Sequence, residues 1–270
     1  HTRNYRVERV EAKRAAVRET LGDKAHLLDD EERLLDDAYW IAEPEDVIAR
    51  NVVQYFAARE LDEDLSIHCE WDEERGATHV TVIAADHPGL FTRIAGGIHL
   101  AGGNIIDARI HTTRNGWAID NFLVQDPLGR PFREGAQLGR IKTSIRDAIA
   151  NRGELVPKLA ARPLPRTRAK AFDVKPRVIF DNEASGRFTV IEVHARDRSA
   201  LLNRLGRALF EAQVIIHSAH ITHYGERAAD TFYVTDLMGG NIVDALRQGS
   251  IATALEDAAS DERQAELEVA

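Results

Sequence analysis

The sequence predicts an α+β protein in which a helical segment precedes two tandem βαββαβ modules. Three observations support this prediction: an internal repeat, strand-like runs of β-branched residues that alternate with amphipathic helices, and a hairpin turn at Asn115-Gly116. The split βαββαβ order, known as ferredoxin-like, implies a four-stranded antiparallel sheet with two helices on one face.

The repeat relates positions that are 111 residues apart. At this offset the run 86–94 matches the run 197–205. After the hairpin turn the offset becomes 110, so that Asp120 matches Asp230. The change of one residue falls in a turn, where chains tolerate deletions. The pattern therefore indicates a single module that occurs twice.

Residues 1–60 are predicted to be helical and to form the tail of an upstream domain or a linker. The first helix carries an apolar stripe, formed by Val7, Val10, Val17 and Leu21. Pro44 and the two acidic residues after it predict another helix start, because proline is tolerated in the first turn and acids there complement the helix dipole. Nothing in this segment resembles a catalytic motif.

The first module is predicted to span 79–180 and the second to span 188–270. In each, a strand, a helix and a β-hairpin precede a second helix, which in the first module covers 133–152. The stretch 157–176 is rich in proline and arginine and is predicted to be a stiff, solvated linker. The strand-like residues 177–180 then provide a strand that can close the first module.

The acidic composition limits the partners. With 44 acidic against 35 basic residues and a net charge of −9, the chain lacks the basic character of a nucleic-acid binder. No apolar run approaches the roughly 18 residues of a membrane span, and no signal-peptide pattern opens the chain, so no membrane partner is expected. The single cysteine, Cys69, cannot form an internal disulfide, which favours a reducing, cytoplasmic location. The start at His1 predicts a piece of a longer chain or a tag remnant.

No catalytic, metal or cofactor centre is predicted in this chain. Gly96-Gly97 and Gly102-Gly103 do not form the dinucleotide fingerprint, and no phosphate-binding Walker loop is present. His217, His220 and His223 lie three residues apart on a predicted strand, where neighbours in the series face opposite sides and cannot converge on one metal. No serine lies in the strained elbow that a catalytic triad uses.

The loop from Asp86 to Leu90 is the strongest candidate for a ligand site. Asp86 is suited to cap the following helix, Pro88 fits its first turn, and Gly89 leaves room for a ligand to approach the backbone. Free amide groups at a helix start form an anion site that suits an α-carboxylate. The same residues also fit an ordinary capped helix start, and the residues alone leave both interpretations open.

The loop and the stretch after the helix together resemble a known module. Asp86-His87-Pro88-Gly89-Leu90 after a strand, followed by Gly102-Gly103-Asn104-Ile105, resembles the ACT domain, a small regulatory module that binds amino acids. Further strings resemble the ACT region of the bifunctional uridylyltransferase/uridylyl-removing enzymes, which act on the PII nitrogen-signalling protein: 107–113, 180–185, 189–193, 218–221 and 224–227.

This resemblance implies a regulatory role in nitrogen metabolism. Enzymes of the family add uridylyl groups to PII with a nucleotidyltransferase domain, remove them with a metal-dependent HD phosphohydrolase domain, and sense glutamine with a C-terminal ACT pair. The chain contains neither set of catalytic residues. It is therefore expected to be the non-catalytic, allosteric sensor region, which binds glutamine or another small amino acid, while magnesium and PII belong to the parent enzyme.

The resemblance also implies the binding residues. ACT domains bind their ligand with the first strand-to-helix loop and an asparagine at the start of the next strand, which here are Asp86, His87, Pro88, Gly89, Leu90, Asn104 and Ile105. The equivalent loop of the second module departs from this pattern and predicts a weaker site at Asp197, Arg198, Ser199 and Ala200. ACT domains usually face a neighbouring ACT domain, so the resemblance also allows a homodimer.

Two other interpretations remain open at this point. One is an ACT pair that serves another metabolic enzyme, although the strings 181–185 and 224–227 favour the uridylyltransferase family. The other is a ferredoxin-like RNA-binding module. Such a module needs a basic sheet with exposed aromatic side chains, whereas this chain is acidic and only 6% aromatic.

Overall fold

A computed structural model describes residues 2–31, 34–35, 37–150, 175–197, 200–224 and 226–260. The chain separates into two compact units. The first unit combines the described parts of 1–69 with 80–86 and 109–121, and the second combines 70–79 and 87–108 with the described parts of 122–270. Most of the predicted linker at 157–176 lies outside the described residues. Within those residues, no helix is long and apolar enough to cross a membrane.

The helical segment contains the helices α1 (Thr2–Leu21), α2 (Leu27–Glu31), α3 (Asp37–Ala42) and α4 (Glu45–Glu60). The predicted stripe of α1 is buried at Val10, Val17 and Leu21, whereas Val7 is 52% exposed. Gly22 follows α1 with a φ of 58°, a left-handed conformation that glycine adopts at little cost.

This helical segment shares a core with strands of its own unit. One apolar cluster includes Val17, Trp40 and Val52 of the helices together with Ile83 and Ile119 of the strands. Each such side chain contributes about 1.5–3 kcal/mol on burial. The segment is thus packed as an integral part of the first unit, a role that its amphipathic pattern alone did not predict.

The strands β1 (Leu65–Asp72), β2 (Ala77–Ala85), β3 (Asn104–Thr112) and β4 (Trp117–Gln125) form a four-stranded sheet in the order β1-β2-β4-β3. Helix α5 (Leu90–Leu100) connects β2 to β3, and α6 (Gly135–Ala150) follows β4. The predicted turn at Asn115-Gly116 joins β3 to β4, and Gly116 has the positive φ, 84°, that favours glycine in such turns.

The second sheet has the same strand order. Its strands β5 (Arg177–Asp181), β6 (Thr189–Arg196), β7 (Ile215–Tyr224) and β8 (Arg227–Thr235) are arranged as β5-β6-β8-β7, with antiparallel neighbours. Helices α7 (Leu201–Glu211) and α8 (Ala245–Ala259) occupy the positions that α5 and α6 have in the first module. The predicted α+β class with two tandem ferredoxin-like modules is confirmed.

One strand lies in a different module from the one predicted. Residues 177–180 do not close the first module, because β5 pairs with β6, with Phe180 opposite Ile191. The edge of the first sheet is instead β1, which joins β2 through a short connection that includes Gly76. Pairing two strands across a short hairpin loop costs less conformational entropy than pairing a strand with one that follows a helix and a long linker, because the loop to be closed is shorter. Each module therefore runs ββαββα along the chain.

Candidate functional site

The two strand-to-helix loops hold the same unusual backbone conformation. Gly89 precedes α5 with a φ of 82°, and Ala200 precedes α7 with a φ of 60°. Glycine adopts this conformation freely, but alanine pays for its Cβ there, and such strained residues cluster at ligand-binding sites. The strain at Ala200 therefore directs attention to the loop of the second module.

Asp86 does not cap α5, contrary to the sequence-based expectation. The cap residue is Gly89, which has no side chain with which to cap the helix. The helix begins at Leu90, after the loop rather than at Pro88. The Asp86 carboxylate instead accepts a hydrogen bond from the Thr112 hydroxyl at 3.3 Å.

A polar cavity lies within the second unit, beside the start of α7. Its volume is about 40 Å³. A space of this volume holds a few water molecules, so a larger ligand has to widen it. Its polar lining consists of His99, Asn104, Asp197, Asn203 and Asp230.

The cavity brings together residues of both predicted sites. Asn104 and Ile105 of the first set line it together with Asp197 and Ala200 of the second set. None of the residues from Asp86 to Leu90 lines this cavity. Arg198 and Ser199 lie outside the described residues.

The chemistry of the lining matches an amino acid's main chain. The amide groups that begin α7 suit a carboxylate, because a helix start is the positive end of the helix dipole. Asp197 and the buried Asp230 supply acidic side chains whose oxygens can accept hydrogen bonds from an ammonium group. Asn104 supplies both a donor and an acceptor. Asn203 is held in place, since its amide donates to the Thr92 carbonyl at 2.6 Å.

The first module contains the counterpart of Asp230. Asp120 is fully buried in the first unit, and burial, reinforced by the negative charge of Asp86, raises its pKa well above the ordinary value despite a hydrogen bond from the His111 backbone. A raised pKa means that the folded chain holds this proton more tightly than the unfolded chain. The stabilising effect is complete below the ordinary carboxyl pKa of about 4 and is lost as the pH rises through the folded-state pKa.

We therefore expect Asp120→Asn to flatten the pH dependence of stability. The free energy of unfolding of the wild type should fall, relative to that of Asp120→Asn, as the pH is raised from 5 to 8, because asparagine carries no proton to lose. Urea unfolding at several pH values measures this difference. The exposed Asp147→Asn is the matched control and should run parallel to the wild type. A difference between wild type and Asp120→Asn that does not change with pH would contradict this account.

Three polar residues of the cavity were not identified as site residues from the sequence. His99 lies in the last turn of α5, where its spacing gave no functional signal. Asn203 lies in the first turn of α7 and differs from its repeat partner, Thr92. The repeat matches Asp230 to Asp120. The presence of an acidic residue at the same position of a predicted strand in both modules was the one sequence feature that could have pointed to Asp230.

Within the described ranges, no group of three His, Cys, Asp or Glu side chains is arranged to hold a metal ion. Two ferredoxin-like modules with a polar cavity beside one strand-to-helix loop define a tandem α+β protein.

Comparison with known proteins identifies relatives of the chain. No family model matches the chain. The chain is 76% identical over its full length to a bifunctional uridylyltransferase/uridylyl-removing enzyme of Erythrobacter litoralis, and 62% identical over 97% of its length to that of Novosphingobium aromaticivorans. The Zymomonas mobilis enzyme is 45% identical over 96% of the chain. The resemblance inferred from the sequence is confirmed: the chain is related, from end to end, to one region of the bifunctional uridylyltransferase/uridylyl-removing enzymes.

The matched region is a minor part of these relatives. The chain spans 29% of the length of the first two and 28% of the third. Among solved structures, a glycine cleavage system transcriptional repressor aligns over 67% of this chain and 90% of its own, with 14% identity and a TM-score of 0.23. A score this low supports no argument about fold or function.

Proposed function

We propose that this chain is the glutamine-sensing regulatory region of a bifunctional uridylyltransferase/uridylyl-removing enzyme. Its ligand binds in the cavity that Asn104, Asp197 and Ala200 line. The observation that carries this proposal is the convergence of a helix start, two acidic side chains and a side-chain amide on one cavity. The catalytic work on PII, with its magnesium, belongs to the rest of the parent enzyme, which acts in the cytoplasm.

The proposed pose follows from charge. The ligand carboxylate faces the start of α7, and its ammonium faces Asp197 and Asp230, which line the same cavity. Asn104 then pairs with a remaining polar group of the ligand. This arrangement uses the loop of the second module with the asparagine of the first, rather than the loop from Asp86 to Leu90 that the family pattern favours.

The cavity also favours glutamine over glutamate. The side chain of glutamate adds a second negative charge to a cavity that Asp197 and Asp230 already line. Like charges brought together in a poorly solvated site repel each other, and specificity often rests on such a repulsive element. The glutamine amide is uncharged and avoids this cost.

We expect Asn104→Ala to weaken glutamine binding by about 5- to 150-fold. Removing the amide leaves a ligand polar group without its partner, which costs about 1–3 kcal/mol. Isothermal titration calorimetry with L-glutamine measures the effect, and L-glutamate should bind more weakly than glutamine to the wild type. Leu246→Ala is the control, because Leu246 is 85% exposed and does not line the cavity.

The control should retain the wild-type affinity. Equal affinities for wild type and Asn104→Ala would contradict the proposed site. A wild type that binds no glutamine would contradict the proposed function itself.

A further inference from the structure

The repeat defines a second position at which the same kind of site would form. The residues equivalent to Ala200, His99 and Asn104 are, in order, Gly89, Phe210 and Ile215. We call these last three residues the alternate half-site. The chain therefore offers two related half-sites, and their side chains differ.

At the alternate half-site an aromatic ring lies beside the loop. A Cβ built on Gly89 would lie 3.8 Å from both Cε2 and Cζ of Phe210, so the ring covers the face of the loop that a ligand would approach. In the polar cavity, the equivalent pair is Ala200 and His99, and both line open space.

The alternate half-site also lacks the side-chain amide that the polar cavity has. Where the cavity has Asn104, the alternate half-site has Ile215, whose side chain neither donates nor accepts a hydrogen bond. A zwitterion placed here would lose its hydration without gaining equivalent partners.

We propose that the chain binds a single amino acid and that Phe210 and Ile215 close the alternate half-site. This inference rests on the proposed function and specifies its stoichiometry. The repeat provides two equivalent positions, and the side chains of the second module allow the ligand to bind at only one of them, the polar cavity. Phe210 and Ile215 are thus specificity-determining residues that exclude a ligand.

The test restores the polar residues at the alternate half-site. Phe210→His combined with Ile215→Asn introduces the side chains of the polar cavity, and both positions are partly exposed, at 46% and 38%, so the fold should tolerate them. Leu246→Asn, at a position 85% exposed, is the control for added surface polarity. L-glutamine is titrated into each variant by calorimetry, and melting temperatures check folding.

We expect one bound glutamine per chain for the wild type and for Leu246→Asn, and two for the double variant. Two sites in the wild type would overturn this inference and leave the proposed function intact. A double variant that still binds one glutamine would also overturn it. A wild type that binds no glutamine would overturn the proposed function, and this inference with it.

Discussion

Replacing Glu43 with alanine is expected to lower the free energy of unfolding by about 3–5 kcal/mol, the usual cost of breaking a buried ion pair. Glu43 is completely buried between α3 and α4. Its Oε1 accepts hydrogen bonds from Arg109 Nε at 3.1 Å and from His111 Nε2 at 2.8 Å, both on β3. Alanine would leave the partly buried Arg109 and the buried His111 without this carboxylate.

The electrostatics of the cluster agree with this expectation. Burial alone raises the pKa of Glu43, but the hydrogen bond and charge of His111, together with the charge of Arg109, outweigh it and hold the pKa below the ordinary value. A lowered folded-state pKa stabilises the folded chain above the ordinary carboxyl pKa, and this stabilisation is lost as the pH falls through the folded-state pKa. The cluster should therefore weaken in acid.

Urea unfolding at neutral pH measures the effect of Glu43→Ala. The control is Glu45→Ala, since Glu45 is exposed in the first turn of α4 and only two residues away. Its loss should stay below about 1 kcal/mol, the scale of a charge at a helix end. A loss for Glu43→Ala that is no larger than that of the control would contradict the role assigned to the cluster.

Replacing Gly97 with alanine is expected to lower the free energy of unfolding by about 1–3 kcal/mol, the typical cost of overpacking a core. Gly97 lies in the middle of α5, where α6 approaches closely. An added Cβ would lie 2.8 Å from the Ile145 Cα and 2.9 Å from the Ser144 carbonyl oxygen. Both are backbone atoms, which cannot move aside as a flexible side chain can.

A matched glycine should respond in the opposite direction. Gly139 lies within α6, and no atom lies within 4 Å of a Cβ built there. Gly139→Ala should raise the free energy of unfolding by about 0.5–1 kcal/mol, because alanine restricts the unfolded chain and favours helix. Chemical denaturation of both variants gives the two signs. If Gly97→Ala were as stabilising as Gly139→Ala, the close contact between the two helices would not exist as described.

The fold was largely predictable because the chain repeats itself. In the sequence, the offset of 111 residues aligns α5 with α7 and β3 with β7. The hairpin turn at Asn115-Gly116 predicts which two strands of the first copy pair with each other. The edge strand was misassigned because periodicity identifies a strand and not its partner. β1 and β5 are each strand-like, and only the short hairpin connections decide which sheet each one joins.

Polar contacts between residues far apart in the chain could not be predicted from the sequence. Glu43 meets Arg109 and His111 across 66 and 68 residues, and no local pattern links a residue before a helix to two positions on a later strand. The same holds for the polar cavity. The loop and the strand start were recognised separately, but the sequence could not indicate that Asn104 lines the same cavity as Ala200.

The most direct test of the central claim is a crystal structure of the chain grown with L-glutamine. The account predicts one glutamine per chain, with its carboxylate at the amide groups that begin α7, its ammonium within hydrogen-bonding distance of Asp197 or Asp230, and Asn104 against a remaining polar group. Glutamine bound at Gly89 instead, or a polar cavity that stays without glutamine at saturating concentration, would contradict it.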